Sequence, residues 1–576
     1  MMAAATLRRG AALPTLVTRV RAYILPSCLL GALAASSLAA DEANLGVIHR
    51  IKTEAVRHSQ VMDHLFYLCD VYGARLTNSP AHLAAARWAV DRLKSFGVTT
   101  AKLEPWGTFG RGWSYDEASV QMRAPVETPL LGAPLAWSGG TDGPLLGDVV
   151  AAPFDPPEDA SDLDALEKAI AAYGTANHGQ LRGKIVLVRK SRDLGLPTKP
   201  ASARLTSEEL ASSALAQDPE PIPHFDLPLL RLPKEKKDRR RILQNIPLET
   251  GVERWLLELR AKRRLHEILR EEGVLATLTT DDRGDGGIVF AESAGGWEPD
   301  ATPIRPTFVL IPEHYNRLMR LVENRVPVRI EVRLSARFQD SSLDGQNVIG
   351  EIPGGKKKNE LVMLGAHLDS WHTGTGATDN AAGCAVVLEA VRILKALDLE
   401  LDRTVRVALW GGEEQGLFGS RGYVKAHFAD PISRTLKPEH ASFAGYFNLD
   451  NGTGKIRGIH LQENDMVRPT FEAWLAPFRD LGATTVTIQD TGGTDHLSFD
   501  AVGLPAFQFI QDPVDYGTRT HHSNLDVYDR AQPADLVQAS MILASFVYHA
   551  ACREAPLPRK PLPFGASPGG NAAASK

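Results

Sequence analysis

Residues 361–422 contain LVMLGAHLDSWHTGTGATDNAAGCAVVLEA and, after a variable helical stretch, RVALWGGEEQGLFGSRG. The first apolar run predicts a β-strand that ends at His367, and the second predicts a strand that ends before Glu413 and Glu414. A glycine-rich turn after the first strand leads Asp379 to the start of a helix. An imidazole and several carboxylates at neighbouring strand ends are suitable ligands for divalent metals. The sequence therefore predicts a metal site at one edge of a sheet.

Composition and charge indicate a globular protein of more than one domain. The chain has 576 residues, of which 43% are hydrophobic and 23% charged, so roughly two or three domains are expected. The formal net charge is -5 and the pI is about 6.4. This balance gives no overall bias toward nucleic acid or membrane surfaces.

The N-terminus resembles a targeting segment. Basic residues precede the apolar run AYILPSCLLGALAASSLAA, which ends in small residues before Asp41. This pattern predicts a cleaved signal peptide over residues 1–40 and a secreted or periplasmic protein. A membrane anchor is the rival interpretation, but the run is short and is broken by Pro26. Lipidation at Cys28 fits poorly because apolar residues continue after it. No membrane span is expected after cleavage.

The cysteines indicate neither a disulfide framework nor a cysteine-held metal. Four cysteines occur, and Cys28 lies in the expected signal peptide. The others are Cys69, Cys384 and Cys552, which allow at most one bridge. There is no C-x-x-C motif, so histidines and carboxylates must hold any metal.

The order of predicted elements indicates an α/β fold. From about residue 345, strand and helix patterns alternate, which is typical of a mixed, mostly parallel sheet sandwiched by helices. The catalytic domain is predicted over residues 41–125 and 341–553. Short β segments flanked by Gly and Pro over residues 126–340 predict a β-rich inserted domain. The Pro/Gly/Ala-rich residues 554–576 predict a disordered tail.

Several candidate site residues follow these predicted strands. Asp369 lies two residues after His367, and such residues of a strand point to one face, so Asp369 is expected to orient His367 without ligating the metal. Asp379 has the simpler interpretation of a helix N-cap, although that leaves the glycine-rich approach unexplained. Glu413 and Glu414 are adjacent carboxylates, which repel each other unless a cation or a proton is present. One of them could ligate a metal while the other faces a bound water.

Further candidates lie later in the chain. Asp450 closes the strand pattern AGYFNLD, and His521 and His522 lie in the loop segment THHSNLDVYD. Each alone has an ordinary interpretation as a turn or loop residue. Together they add imidazoles and a carboxylate at predicted strand ends, where ligands of α/β sheets collect.

Taken together, these motifs resemble the M28 family of zinc metallopeptidases, and within it the carboxypeptidase Q-like branch. The motifs are GAHLDSW (365–371), GATDNAAG (376–383), LWGGEEQGLFGSRGY (409–423), NLDNGTG (448–454), GGTDHLSF (492–499), HHSNLDVYD (521–529) and, near the N-terminus, VYGARLTNSP (71–80). The resemblance covers most of residues 47–125 and 345–552. It implies a zinc exopeptidase fold and two Zn²⁺ ions.

The resemblance also implies a ligand for each position. His367 and Asp450 would bind one zinc, and Glu414 and His522 the other. Asp379 would bridge the two ions. The Asp379–Asn380 peptide bond is often cis in the family.

The remaining roles follow in the same way. Glu413 would be the general base toward a metal-bridged hydroxide, and Asp369 would hold His367 in its ligating tautomer. His522 is chosen as the late ligand because it precedes Asp526 by four residues, as in the family's H-x-x-x-D pattern. His521 stands where many relatives have Tyr.

The inserted region resembles the protease-associated domain found in several M28 members. LRGKIVLVRK at 181–190 carries this resemblance, while the longer, more charged middle departs from it. The basic run Lys234 to Arg241 in that middle is either a solvated face or a contact for an acidic partner. Asp495 and His496 lie near the site by resemblance, where Asp495 either contacts substrate or caps a helix.

The expected function is that of a secreted dizinc exopeptidase, an aminopeptidase or dipeptidase, acting on short peptides. The alternatives are a non-catalytic binding protein on a peptidase fold and a single-zinc glutaminyl cyclase. The complete set of ligands argues against both. A homodimer is expected by family analogy alone. The sequence does not indicate which peptide end is trimmed.

Overall fold

The computed structural model describes residues 42–157, 162–196, 198–217, 248–433 and 435–561. The expected signal peptide and the basic run at 234–241 lie outside the described residues. The α-helices are α1 (Leu45–His58), α2 (Val61–Phe66), α3 (Pro80–Ser95), α4 (Leu163–Ala176), α5 (Ser207–Ala214), α6 (Leu248–Glu271), α7 (Pro312–Glu323), α8 (Ala382–Ala396), α9 (Phe418–His427), α10 (Pro438–Ser442), α11 (Arg468–Leu475), α12 (His496–Asp500) and α13 (Pro533–Cys552). Short π-helical turns span Tyr67–Val71, Ala377–Ala381 and Tyr516–Thr520, and 3₁₀ turns span Asp465–Val467, Ala476–Leu481 and Tyr528–Arg530.

The strands form two eight-stranded sheets. They are β1 (Lys102–Thr108), β2 (Gly112–Ala124), β3 (Thr128–Leu130), β4 (Gly132–Pro134), β5 (Leu145–Ala151), β6 (Lys184–Leu187), β7 (Ala276–Thr279), β8 (Thr307–Leu310), β9 (Arg329–Gln339), β10 (Asp344–Ile352), β11 (Lys357–His367), β12 (Arg403–Trp410), β13 (Phe443–Asn448), β14 (Ile456–His460), β15 (Thr485–Thr487) and β16 (Ala506–Gln511).

The first sheet has the order β1-β10-β12-β11-β13-β16-β14-β15. Its four central strands, β12, β11, β13 and β16, are parallel to their neighbours in that group. β1 and β10 extend one side in antiparallel pairs, and β14 joins β16 antiparallel on the other. This confirms the predicted mixed, mostly parallel sheet.

Helices cover both faces of this sheet. On one face α1, α2, α3, α8 and α13 share a core with β11 and β12, in which Val362 and Leu364 are fully buried. On the other face α9 packs over a separate core that contains Trp410 and Tyr446. A sheet covered on both faces needs near-continuous apolar strands, which explains the composition of β11 and β12.

The second sheet has the order β3-β2-β9-β5-β6-β7-β8-β4 and its own core. It contains β2, which pairs antiparallel with β9. The boundary predicted at residue 125 therefore groups β2 with the first sheet although its partner lies in the second. The chain leaves the first sheet after β1 and returns to it at β10, and these two strands pair with each other.

The C-terminal end differs from the sequence expectation. A disordered tail is predicted from residue 554, but residues 554–561 pack on the body of the protein. Leu557 is 2% exposed, and its amide donates to Ala444 O at 3.1 Å. Arg559 donates to His440 O at 2.8 Å. Residues 562–576 lie outside the described residues.

One described helix, α13, is long and apolar enough to cross a membrane. No such segment was predicted from the sequence. Its apolar window is 83% buried inside the protein. It packs against α8 and α1. Burial in the core accounts for its composition.

Candidate metal centre

The candidate site lies where three parallel strands end. His367, the last residue of β11, pairs with Trp410, the last residue of β12. Gly365 of β11 pairs with Asn448, the last residue of β13. The loops that follow these strands therefore begin at the same edge of the sheet, and they carry most of the predicted ligands.

His367 lies at the centre of this edge and is 1% exposed. Its Nε2 is 3.2 Å from Asp379 Oδ1, 3.3 Å from Asp450 Oδ1 and 3.9 Å from Glu413 Oε2. Burial opposes protonation of His367, but the carboxylates of Asp450 and Glu413 raise its pKa well above the ordinary value. The structure thus brings three of the predicted carboxylates around the Nε2 atom of His367.

The role predicted for the Asp369 carboxylate is wrong. Nδ1 of His367 lies 3.0 Å from the backbone carbonyl of Asp369, whereas Asp369 Oδ1 is 3.8 Å away. β11 ends at His367, so the alternation of a strand does not extend to Asp369. Its buried carboxylate instead accepts hydrogen bonds from the backbone N–H groups of Glu413 and Glu414, both at 3.2 Å, and from Thr77 Oγ1 at 2.8 Å. Asp369 therefore holds the turn that carries the two glutamates.

Asp379 lies between the two predicted metal positions. Its Oδ1 faces His367, and its Oδ2 lies 3.2 Å from His522 Nε2. Burial would raise the pKa of Asp379, but the imidazoles of His367 and His522 hold it well below the usual range. The Asp379–Asn380 peptide bond is cis, as the resemblance implied.

Two groups outside the predicted set fix the turn of Asp379. Asp526 accepts from Thr378 N at 2.6 Å and from Asp379 N at 3.2 Å. The fully buried Arg75 donates to the carbonyls of Thr375 and Gly376, both at 2.8 Å. The spacing of Asp526 from His522 was its sequence signal. Arg75 lies in the motif VYGARLTNSP, but the motif alone did not indicate that this arginine supports the turn of Asp379.

The glycine-rich approach reflects close packing around this turn. Gly376 has φ +66°, and a Cβ there would overlap the side chain of Ser370. At Gly374, a Cβ would lie 2.6 Å from the carbonyl oxygens of both Ser523 and Asp526. Glycine is therefore required by the approach of the His522 loop and not by a helix cap alone.

Glu413 and Glu414 are enclosed carboxylates with raised pKa values. Burial raises the pKa of Glu413 well above its ordinary value, His367 opposes this, and the charge of Asp450 adds to it. Burial and the carboxylate of Asp379 raise the pKa of Glu414 to about 8, against the opposing His522. Both groups lie in an environment that favours a proton or a cation beside them.

His522 is better placed than His521 to ligate. Its Nε2 lies 3.0 Å from Glu414 Oε2 and 3.2 Å from Asp379 Oδ2. The His521 Nε2 lies 3.7 Å from Asp379 Oδ2, and its ring stacks on His522 at a centroid distance of 3.8 Å. The other nitrogen of His522, Nδ1, is 2.8 Å from Glu292 Oε1 in the inserted region. Glu292 was not among the predicted site residues.

A partly open pocket lies against this cluster. It is lined by Trp371, Thr373, Gly374, Gly376, Asp379, Glu414, His522, Ser523 and Asp526. Ligand atoms of two groups each lie within 4.8 Å of one another: Asp379, His521 and His522 form one, and His367, Asp379 and Glu414 form the other. Asp379 belongs to both groups. Asp450 belongs to neither, although it is close to His367.

Comparison with known proteins agrees with this geometry. Residues 347–547 match the model of peptidase family M28. This chain contains an M28 peptidase domain. The rat (Rattus norvegicus) protein carboxypeptidase Q is 29% identical over 260 residues, which are 45% of this chain and 52% of the rat protein. The chain thus matches about half the length of that relative.

The fold of the M28 domain and its insert also occurs in solved structures. A peptidase M28 precursor from Shewanella amazonensis superimposes with a TM-score of 0.61 at 23% identity, covering 90% of this chain and 99% of that one. A zinc aminopeptidase from Bacillus subtilis gives a TM-score of 0.50 at 18% identity, covering 86% and 95%. These similarities show the fold.

The donors of the M28 domain fit a metal cluster. Because a carbonyl oxygen only accepts, Nδ1 of a neutral His367 carries the proton and Nε2 presents its lone pair to Asp379 and Asp450. Asp379 Oδ2 and Glu414 Oε1 accept no hydrogen bond from the described residues. Lone pairs that face one another at about 3 Å repel unless a cation or an added proton lies between them. Imidazole with carboxylate is a common ligand set for zinc.

Asp495 is fully buried, and its charge interacts with His367 and Asp450. It precedes α12 but makes no side-chain capping hydrogen bond. Burial raises the pKa of Asp495 to about 8, and the charge of Asp450 adds to the effect. The interpretation as a helix cap is therefore wrong.

Proposed function

We propose that the protein is a dizinc exopeptidase that hydrolyses peptide bonds of short peptides. The observation that carries the proposal is the pair of imidazoles, His367 and His522, whose Nε2 atoms both face the carboxylate of Asp379. Such sharing suits a carboxylate that bridges two ions. His367 with Asp450 would hold one zinc, and His522 with Glu414 the other.

Charge balance supports the number of ions. Asp379, Glu413, Glu414 and Asp450 are all buried, with side chains at most 9% exposed. Four carboxylates carry four negative charges when ionised, and two dications would neutralise them. Without cations, burial of so much like charge is costly, which is expressed in the raised pKa values of Glu413 and Glu414.

Zinc, when bound, polarises a carbonyl oxygen and lowers the pKa of a water. The chain's own contribution to catalysis is centred on Glu413. Its Oε2 lies 3.9 Å from His367 Nε2, farther than the oxygens of Asp379 and Asp450 at 3.2 and 3.3 Å. From this position Glu413 takes the proton of the attacking water and passes it to the leaving amine. Asp369 holds the backbone on which Glu413 sits, and burial keeps competing water away.

The relatives support the substrate class. The rat protein is called carboxypeptidase Q, and the Bacillus subtilis neighbour is described as a zinc aminopeptidase. Both descriptions concern trimming of peptide ends. By extension, the substrates are small peptides, the location is outside the cytoplasm as the N-terminal sequence predicts, and a homodimer is the proposed assembly.

The test is hydrolysis by purified, zinc-loaded protein of a panel of dipeptides and aminoacyl anilides, with products identified by mass spectrometry. Activity should disappear with a chelator and return with zinc. Glu413→Gln is the matched control, since it keeps the size of the side chain and removes the base. A zinc-loaded protein that leaves the whole panel intact would rule out the proposal. Cyclisation of glutaminyl peptides without hydrolysis would favour the cyclase alternative.

A further inference from the structure

One hydrogen bond joins the inserted region to a predicted zinc ligand. Glu292 Oε1 lies 2.8 Å from His522 Nδ1, although the two residues are 230 positions apart. Glu292 follows β7 in the chain and lies in the part that connects the strands of the second sheet. The sequence offered no role for this residue.

The bond determines which nitrogen of His522 is free. Arg283 forms an ion pair with the same carboxylate, with its Nη2 2.9 Å from Glu292 Oε1, and this cationic partner favours the ionised form of Glu292. An ionised carboxylate only accepts hydrogen bonds, so Nδ1 carries the proton. In a neutral ring, Nε2 then presents its lone pair to Asp379 and Glu414.

Glu292 is itself held in place. Arg283 Nη2 donates to the same Oε1 at 2.9 Å, and the Arg283 Nε donates to Asp281 Oδ1 at 3.1 Å. The Arg283 guanidinium lies 4.4 Å from the centroid of the Phe290 ring. The backbone carbonyl of Glu292 accepts from Ala136 N at 2.9 Å. These contacts fix both the charge and the position of the carboxylate.

The loop of His522 is attached to the same segment. Asn524 Oδ1 accepts from Val289 N at 2.8 Å, and Asn524 N donates to Val289 O at 3.1 Å. Ser523 and Phe290 form an antiparallel bridge. His522 has φ 64°, a left-handed conformation that is strained for a non-glycine residue and persists where the surroundings fix it.

We propose that Glu292 is a positioning residue that orients His522 toward zinc, so that the inserted region forms part of the metal centre. The inference rests on the proposed dizinc function. It applies to one metal position. The Nδ1 of His367, at the other position, is held by the carbonyl of Asp369 in its own loop. Carboxylates behind a ligating histidine fix its tautomer and raise its basicity.

The test compares Glu292→Gln with Glu292→Met in the full chain. The two side chains are similar in size, but only Gln keeps an oxygen that can accept from Nδ1. Stepwise zinc binding is measured by competition with a chelator, and the d–d spectrum of the cobalt-substituted protein reports the geometry of each equivalent. Asp282→Asn is the control, since it removes a charge from the same segment at a side chain that pairs with Arg189.

We expect Glu292→Met to weaken one of the two equivalents by roughly 10- to 100-fold and to alter its cobalt spectrum. Glu292→Gln should stay within about threefold of the wild type, as should Asp282→Asn. Equal affinities for the Met and Gln variants would overturn the inference. So would equal weakening of both equivalents together with a lower melting temperature of the metal-free protein, because that indicates a merely structural role. Fewer than two equivalents in the wild type would overturn the dizinc proposal as well.

Discussion

Replacing Asp369 with Asn tests which group this carboxylate supports. Its Oδ1 accepts from Glu413 N, and its Oδ2 accepts from both Glu414 N and Thr77 Oγ1. An Asn whose oxygen takes the place of Oδ2 keeps two of these bonds, but its NH₂ group then faces the Glu413 N–H. One bond to a charged acceptor is lost, at about 2 kcal/mol, and two are weakened by about 0.5 kcal/mol each. Asp369→Asn should therefore lower the free energy of unfolding by about 3 kcal/mol.

The same variant should impair catalysis while leaving one zinc in place. Displacement of the Glu413 turn by about 1 Å lowers kcat by roughly 100-fold. The zinc equivalent held by His367 should bind within about threefold of the wild-type affinity, because the backbone carbonyl of Asp369 remains bonded to Nδ1.

The measurements are urea unfolding of the metal-free protein, chelator competition for zinc, and kcat on the best substrate of the panel. Thr77→Val is the control, since it removes one donor from the same carboxylate and should destabilise by about 1 kcal/mol. If Asp369→Asn changes the unfolding free energy by less than about 1 kcal/mol and weakens the zinc equivalent held by His367, the carboxylate acts on His367 and not on the turn of Glu413 and Glu414.

Three further outcomes are expected. Glu413→Gln should lower kcat/KM by at least about 100-fold with both zinc equivalents retained in elemental analysis; loss of metal would identify Glu413 as a ligand. Asp450→Ala should reduce the zinc content from two equivalents toward one, and a variant with two zincs and full rate would remove Asp450 from the ligand set. Asp495→Asn should stabilise the metal-free protein, by thermal melting, more at about pH 9 than at about pH 5. The reason is that the pKa of Asp495 is raised to about 8 in the folded chain. The contribution of Asp495 to stability is therefore present below the unfolded pKa of about 4 and is lost as pH rises through 8. Equal shifts of the melting temperature at both pH values would contradict this.

The first sheet was largely predictable because its central strands are buried on both faces. β11, β12 and β13 contain the apolar runs 361–366, 407–410 and 443–447 near their carboxyl ends, and Asp369, Gly411 and Asp450 follow within two residues of the strand ends. β15, by contrast, has three residues, too few for a periodic pattern to show. Its place in the sheet depends on pairing with β14, which ends 25 residues earlier in the chain. Tertiary contacts determine this pairing.

The ligands were predicted from the sequence better than the groups that hold them in place. His367, Glu414 and Asp450 lie at strand ends or within four residues after them, so sequence position nearly determines their place in space. The partner of the Asp369 carboxylate was predicted wrongly because it depends on the residue at which β11 ends. A sequence pattern leaves that end uncertain by a residue or two. Glu292 and Arg75 act across long sequence separations. Glu292 lies in none of the motifs, and the motif that contains Arg75 does not indicate which groups Arg75 contacts.

The position of His522 shows why the second sheet matters to the first. Trp371, in the loop after β11, packs edge-on to the His522 ring at a centroid distance of 6.0 Å. Trp371 belongs to an aromatic cluster with Trp113 of β2 and Trp137 of the inserted region. His522 is therefore held on its ring by this cluster and at Nδ1 by Glu292, both of which depend on the second sheet. Since a zinc ligand must hold its direction closely to bind well, metal affinity at this position is a property of the two sheets together and not of the M28 motifs alone.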